Sequence, residues 1–185
     1  MRGNAPPWKF WQANPKGGQA FYQSALVVRA DSPIEKVTDL VGKRVAFGAE
    51  ISMSSAVAPK LILAQAGVRR ADLASVVHLD RHERVALAVL HGNFDAGGLR
   101  LDIAKSYLPR GLRVLATSQP LPPHVIAASP QVAASDAARV RQALLHPDAG
   151  GREALRALGP DNGFVAIDDA HFIAVRRMVR TLESW

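Results

Sequence analysis

The 185-residue chain contains no cysteine. That excludes disulfides, thiolate metal sites and cysteine nucleophiles, and it carries no information about compartment. No apolar run approaches the ~18–20 residues that a membrane-spanning helix needs. No block of ~5–6 like charges occurs either, although the formal net charge is +7. The basic residues are scattered, as Arg69-Arg70, Arg81, Arg84, Arg139, Arg141, Arg176-Arg177 and Arg180. Aromatic residues make up 6% of the chain, too few to line a groove with stacking platforms. Nucleic acid is therefore not an expected partner. The sequence also lacks a Gly-x-Ser-x-Gly elbow, a His-Glu-x-x-His pair and a P-loop Gly-Lys-Ser/Thr. No catalytic residue is assigned, and a phosphatase- or esterase-like enzyme is the least expected function. His78, His91, His124, His146 and His171 do not have metal-ligand spacing, so neither a metal nor a cofactor is expected. The stretch Met1–Trp11 has no apolar core of the kind a signal peptide carries.

What is present is a chain nearly half hydrophobic (48%), enough for one substantial domain or two small lobes. Residues 1–20 are rich in Pro, Gly, Asn and Lys and read as an irregular tail. Trp8, Phe10 and Trp11 would either anchor it or belong to a disordered remnant. Ala25–Arg29 is a short continuous apolar run, the pattern of a buried strand. Arg44–Phe47, Ser75–Leu79, Leu112–Ala116 and Val125–Ala128 read as further strands, and Phe94–Gly98 as a short strand and turn. Between them come helical patterns. One starts at Ser54 or Ser55 and stops at Gly67. Another starts at Asp80–Glu83, spaced like a capping box, and stops at Gly92. Three helical stretches close the chain, the last with Phe172, Val175, Val179 and Leu182 on one face. Strands and helices in this alternation imply an α/β fold with a largely parallel sheet.

The richest segment is Val45–Ser55, a strand, a tight polar loop and the start of a helix lined by Ser52, Ser54 and Ser55. The first N–H groups of a helix lack internal partners, and the helix dipole puts partial positive charge there. An oxyanion can dock at such a turn without a charged side chain. Simple helix capping is the alternative reading of the same serines, and the two roles can coexist.

Seven segments occur in an order that resembles the phosphate/phosphite/phosphonate substrate-binding proteins of ABC transporters. They are Phe21–Arg29, Asp39–Gly48, Ser52–Ser55, His82 with Gly92 and Asp95-Ala96-Gly97, Leu112–Ser118, Pro120–Pro122, and Gly163-Phe164-Val165 with the Asp-rich helix start after it. The resemblance covers roughly residues 20–182. It implies a type II periplasmic-binding-protein-like α/β fold, in which two lobes close on a small ligand. Residues 34–118 would form a complete second lobe. Residues 21–33 and 119–185 would supply crossover strands and the C-terminal helices of an incomplete first lobe. The resemblance further implies that Ser52 and Ser54, with Ser55 close by, hold the ligand oxygens. Tyr22 would contact the ligand from the crossing side, and His82 would add a donor.

Where the family has a threonine, this chain has Met53. Ser55 replaces the family glycine, and Pro123-His124 stands where phosphonate binders often carry an aspartate. The expected function is non-catalytic recognition of a phosphate-like oxyanion for an ABC permease in the periplasm. A sensory domain of the same fold and a truncated remnant are the alternatives. The resemblance implies a sizeable N-terminal segment before Tyr22, where residues 1–20 read as irregular, so an exposed apolar surface is expected on the first lobe, covered by a partner or a second copy.

Overall fold

Strand β2, Ser24–Arg29, is buried at every position except Arg29. A strand covered on both faces reads as an unbroken apolar run, which is what Ala25-Leu26-Val27-Val28 shows. The computed structural model describes residues 9–14, 21–122, 125–157, 163–182 and 185. They fall into two units, a larger one of Tyr22–Leu121 with Val175–Trp185, and a smaller one of Met1–Phe21 with Pro122–Ala174.

The larger unit is built on a five-stranded sheet. Besides β2 it contains β3 (Arg44–Phe47), β4 (Ser75–His78), β5 (Ala96–Arg100) and β6 (Leu112–Thr117), in the order β4-β3-β5-β2-β6. β3 runs parallel to β4 and β5, and β2 runs antiparallel to β5 and β6. Helix α1 (Ala58–Gln65) covers one face over Leu26, Val28, Val45 and Phe47. Helix α2 (His82–Leu90) covers the other, over Ala25, Val27, Ala46 and Leu99, with help from α3 (Leu101–Tyr107). Gly67 and Gly92 follow α1 and α2 with φ of +78° and +74°, left-handed stops that a side chain would strain.

Two glycines let both helices approach β5. A Cβ on Gly97 would lie 2.6 Å from Val85 of α2, and one on Gly98 would lie 2.6 Å from Pro59 of α1 and 2.7 Å from the Ser55 carbonyl. At the start of the same strand, Asp95 accepts from the Arg44 backbone N–H at 2.8 Å and from Arg44 Nε and Nη2. It thereby ties β3 to β5.

The smaller unit has a three-stranded antiparallel sheet, ordered β7-β1-β8, of β1 (Lys9–Asn14), β7 (Val125–Ala128) and β8 (Gly163–Ile167). Helices α4 (Ala134–Leu145) and α5 (Ala149–Ala157) bury Ala137 and Leu155 there. The reading of residues 1–20 as irregular is corrected by β1. Its two aromatic residues favour a strand, but the surrounding Pro, Gly and Asn dominated the composition. Ile126, Val132, Val140 and Ile173 stand exposed in this unit; single exposed aliphatic residues are ordinary on a protein surface.

The division of the chain also differs from the expected 34–118. β2 is an inner strand of the larger sheet, and Val175–Trp185 packs with that unit. In helix α6 (Ile173–Thr181), Met178 is buried against Ala58, Leu61 and Leu121. Trp8, Pro123 and His124 lie outside the described residues, as do the side chains of Phe10, Trp11 and His171.

Candidate functional site

The carboxyl ends of β3, β4 and β5 point the same way, and the loops that leave them carry the candidate residues. After β3 the chain turns at Gly48 and Ala49, then enters a π-type turn, Met53–Val57, that runs into α1. Ser52 caps it. Its Oγ accepts from the Ser55 N–H at 3.3 Å and from the Ser55 hydroxyl at 2.8 Å, and its carbonyl accepts from the N–H groups of Ala56 and Val57. Ser52, rather than the expected Ser54 or Ser55, is therefore the cap, and the turn spends three of its amides internally. Two remain. Among the described residues, no hydrogen bond starts from the N–H of Met53 or Ser54, or from the Ser54 hydroxyl. No acidic side chain lies in that turn to offset the helix dipole. Single-turn π segments inside helices occur frequently at functional sites.

His82 opens α2, but not through the expected capping box. Arg81 occupies the cap position and makes no side-chain cap bond. Asp80 instead takes φ +61°, and its carbonyl accepts from Ala49 N–H at 3.0 Å, which joins this turn to the serine loop. A non-glycine residue at positive φ stores strain, and such residues cluster at functional sites. The His82 Nδ1 accepts from the Arg100 N–H at 3.3 Å, which leaves Nε2 to carry the proton. No hydrogen bond forms at Nε2 among the described residues.

Burial holds the His82 imidazole below its ordinary value of about 6.5, and the positive charge of Arg100 adds to that against Glu83 and Asp102. The imidazole is thus neutral in the folded chain at pH 7. As pH falls below about 6.5, the unfolded chain takes up a proton that the folded chain refuses, so stability drops from there toward the lower folded value. Urea unfolding between about pH 7.5 and 5.5 should show this decline, and His82→Gln should flatten it. An identical slope in both proteins would refute the assignment.

Tyr22 sits just before β2 and exchanges backbone hydrogen bonds with Leu121 at 3.1 and 2.8 Å. Its ring packs on the cluster of Ala58, Leu61, Leu121 and Met178. Burial raises the phenol pKa and the Arg100 charge partly offsets this, so the hydroxyl keeps its proton as a donor. Two places along, the fully buried Ser24 donates its hydroxyl to the Ser54 carbonyl at 2.6 Å. Ser24 also pairs across the sheet with Arg100. The contacts His82–Arg100–Ser24–Ser54 thus link the two loops. All five expected residues, Tyr22, Ser52, Ser54, Ser55 and His82, fall in the larger unit. Ser55 is 1% exposed and its hydroxyl is committed to Ser52, so it shapes the turn from behind.

Ser24, Gly48 and Arg100 were not singled out as site residues. For Arg100 the sequence did carry a signal, an Arg-x-Asp spacing one residue beyond the glycine pair of β5. Among the described residues, no group of His, Asp or Glu side chains is arranged to hold a metal ion, and no helix is long and apolar enough to cross a membrane.

A family profile described as ABC transporter, phosphonate, periplasmic substrate-binding protein matches residues 7–172. The chain belongs to this family. Solved structures share its fold. The binding-protein component of an ABC phosphonate transporter from Pseudomonas aeruginosa superposes with a TM-score of 0.76 at 19% identity, over 95% of this chain and 62% of that one. PhnD1 from Prochlorococcus marinus, solved in complex with methylphosphonate, gives 0.76 at 18% identity, over 98% and 73%. A Xanthomonas citri protein bound to ATP gives 0.75 at 20% identity, over 95% and 77%. The type II periplasmic-binding-protein fold of the family is therefore present. The chain spans less than two thirds of the Pseudomonas protein.

Proposed function

We propose that this chain recognises a phosphate-like oxyanion, a phosphonate, phosphite or phosphate, for an ABC permease in the periplasm, without chemistry on the ligand. The observation that carries this reading is the pair of uncommitted amides at Met53 and Ser54, next to the Ser54 hydroxyl at an uncompensated helix start. Backbone amides at such a turn suit a tetrahedral oxyanion because they add donors and partial positive charge together. Ser52 holds the turn, and Ser55 backs it. The neutral His82 offers Nε2–H, and Tyr22 stands in the same unit beside the start of β2.

Titration calorimetry with phosphate, phosphite, methylphosphonate and 2-aminoethylphosphonate tests the reading. At least one should bind. Ser54→Ala should weaken the best of them by roughly tenfold, the size of one charge-assisted hydrogen bond. A folded sample that releases no heat with any of the four would refute it. Phosphatase or esterase turnover lost in Ser54→Ala would show an enzyme instead.

A further inference from the structure

We infer that Arg100 sets the specificity of this site, so that the preferred ligand carries a second anionic group, such as a carboxylate on a phosphonate, where an amine would be repelled. The inference rests on reading the Ser52–Ser55 turn as the oxyanion seat.

Side chains alternate along a strand, which fixes where Arg100 emerges. In β5, Gly97 and the buried Leu99 face α2, while Gly98 faces Pro59 and the Ser55 carbonyl on the α1 side. Arg100, two residues beyond Gly98, takes the α1 side one step past the serine turn. Its backbone is pinned there by the N–H bond to His82 and by pairing with Ser24, whose hydroxyl reaches the Ser54 carbonyl. Leu101 N–H donates to the Gln23 carbonyl at 2.8 Å, which closes the strand end.

The guanidinium is held as firmly. Nε and Nη2 donate to the two oxygens of Asp102, each at 2.6 Å, and this fork fixes its plane. Nη1 makes no hydrogen bond among the described residues. The Arg100 side chain is 36% exposed and that of Asp102 is 62%, so the carboxylate is the more solvated and more screened partner. The arginine's charge is the stronger influence on His82. Both oxygens of Asp102 are engaged by Arg100, and Oδ1 also accepts from the Ile103 N–H. Glu83, the other acid near His82, is exposed. A carboxylate placed beside the oxyanion meets the remaining Nη1 donors. An ammonium there meets a fixed cation, and such like-charge juxtaposition is a source of selectivity.

The test is calorimetry on the whole 185-residue chain at about pH 7.5 with methylphosphonate, phosphonoacetate and 2-aminoethylphosphonate. Phosphonoacetate should bind at least ~10-fold more tightly than 2-aminoethylphosphonate. Arg100→Gln should cut the affinity ratio of phosphonoacetate to methylphosphonate by ~10-fold or more, and Arg100→Lys should restore part of it. The ranking in the unaltered chain decides the matter even if a variant folds poorly. Equal or tighter binding of 2-aminoethylphosphonate overturns the inference, as does an unchanged ratio in Arg100→Gln. Binding of methylphosphonate with no preference for phosphonoacetate overturns this inference alone. Failure of all three to bind overturns the oxyanion seat and this inference with it.

Discussion

Alanine at Gly48 is expected to abolish oxyanion binding and to cost about 1–3 kcal/mol of stability, the usual range for overpacking a filled site. Gly48 leaves β3 with its N–H donating to the Ser55 carbonyl at 3.0 Å and its carbonyl accepting from His78 Nδ1 at 2.7 Å. A Cβ there would fall on the Ser55 hydroxyl and lie 2.7 Å from the Ser55 Cβ. Ser55 has nowhere to go, because it is buried and bonded to Ser52. Its displacement would carry the Met53 and Ser54 amides with it. Thermal melts and calorimetry with methylphosphonate read both effects, and the double variant Gly48→Ala/Ser55→Gly should recover part of the stability. Binding within about threefold of the unaltered chain would show that the loop tolerates the methyl group.

Trp185→Ala is expected to destabilise the larger unit by about 2–3 kcal/mol, below the ~3–5 kcal/mol of a fully buried aromatic because this ring is half-buried. The indole meets Phe47 edge-on with centroids 6.3 Å apart, and its Nε1 donates to the Val68 carbonyl at 2.8 Å. Lys60 Nζ lies 5.5 Å from the Phe47 ring and 5.9 Å from the Trp185 ring, and its pKa is held down mainly by burial. Removing the ring opens a gap beside the core cluster of Phe47, Leu63, Val68 and Leu73, and it leaves the Val68 carbonyl without this donor. Trp185→Phe keeps the packing and loses the N–H, so it should cost only about 1 kcal/mol. Urea unfolding followed by circular dichroism measures both. A loss under about 0.5 kcal/mol for alanine would mean that the ring does not belong to this core.

The strands that sequence revealed best are those whose neighbours cover both faces. β2 and β3 announce themselves as apolar runs, and β3 has the expected bounds, Arg44–Phe47. The serine turn was legible because hydroxyls stand where a strand ends and a helix begins. β1 was hidden by the composition around it. The Asp80–Glu83 pattern misled because a side-chain cap and a strained turn use the same residues, and only the backbone angle at Asp80 separates them. Arg100 escaped notice because its meaning depends on Gly98. A glycine with a helix pressed against it defines which face of β5 looks toward the serines, and that contact is tertiary. Trp185 gave no sign because its partners, Phe47 and Val68, lie far away along the chain.

The placement of β2 has a consequence for synthesis on the ribosome. Its partners in the sheet are Leu99 and Gly98 on one side and Thr117 and Ala116 on the other. This buried apolar strand therefore leaves the exit tunnel before both of the strands that pair with it, and waits for them. Until they arrive both of its edges are open, and unpaired edges invite association with neighbouring chains. Slowing translation between β2 and β5 should increase the insoluble fraction of this protein more than the same delay placed after β6.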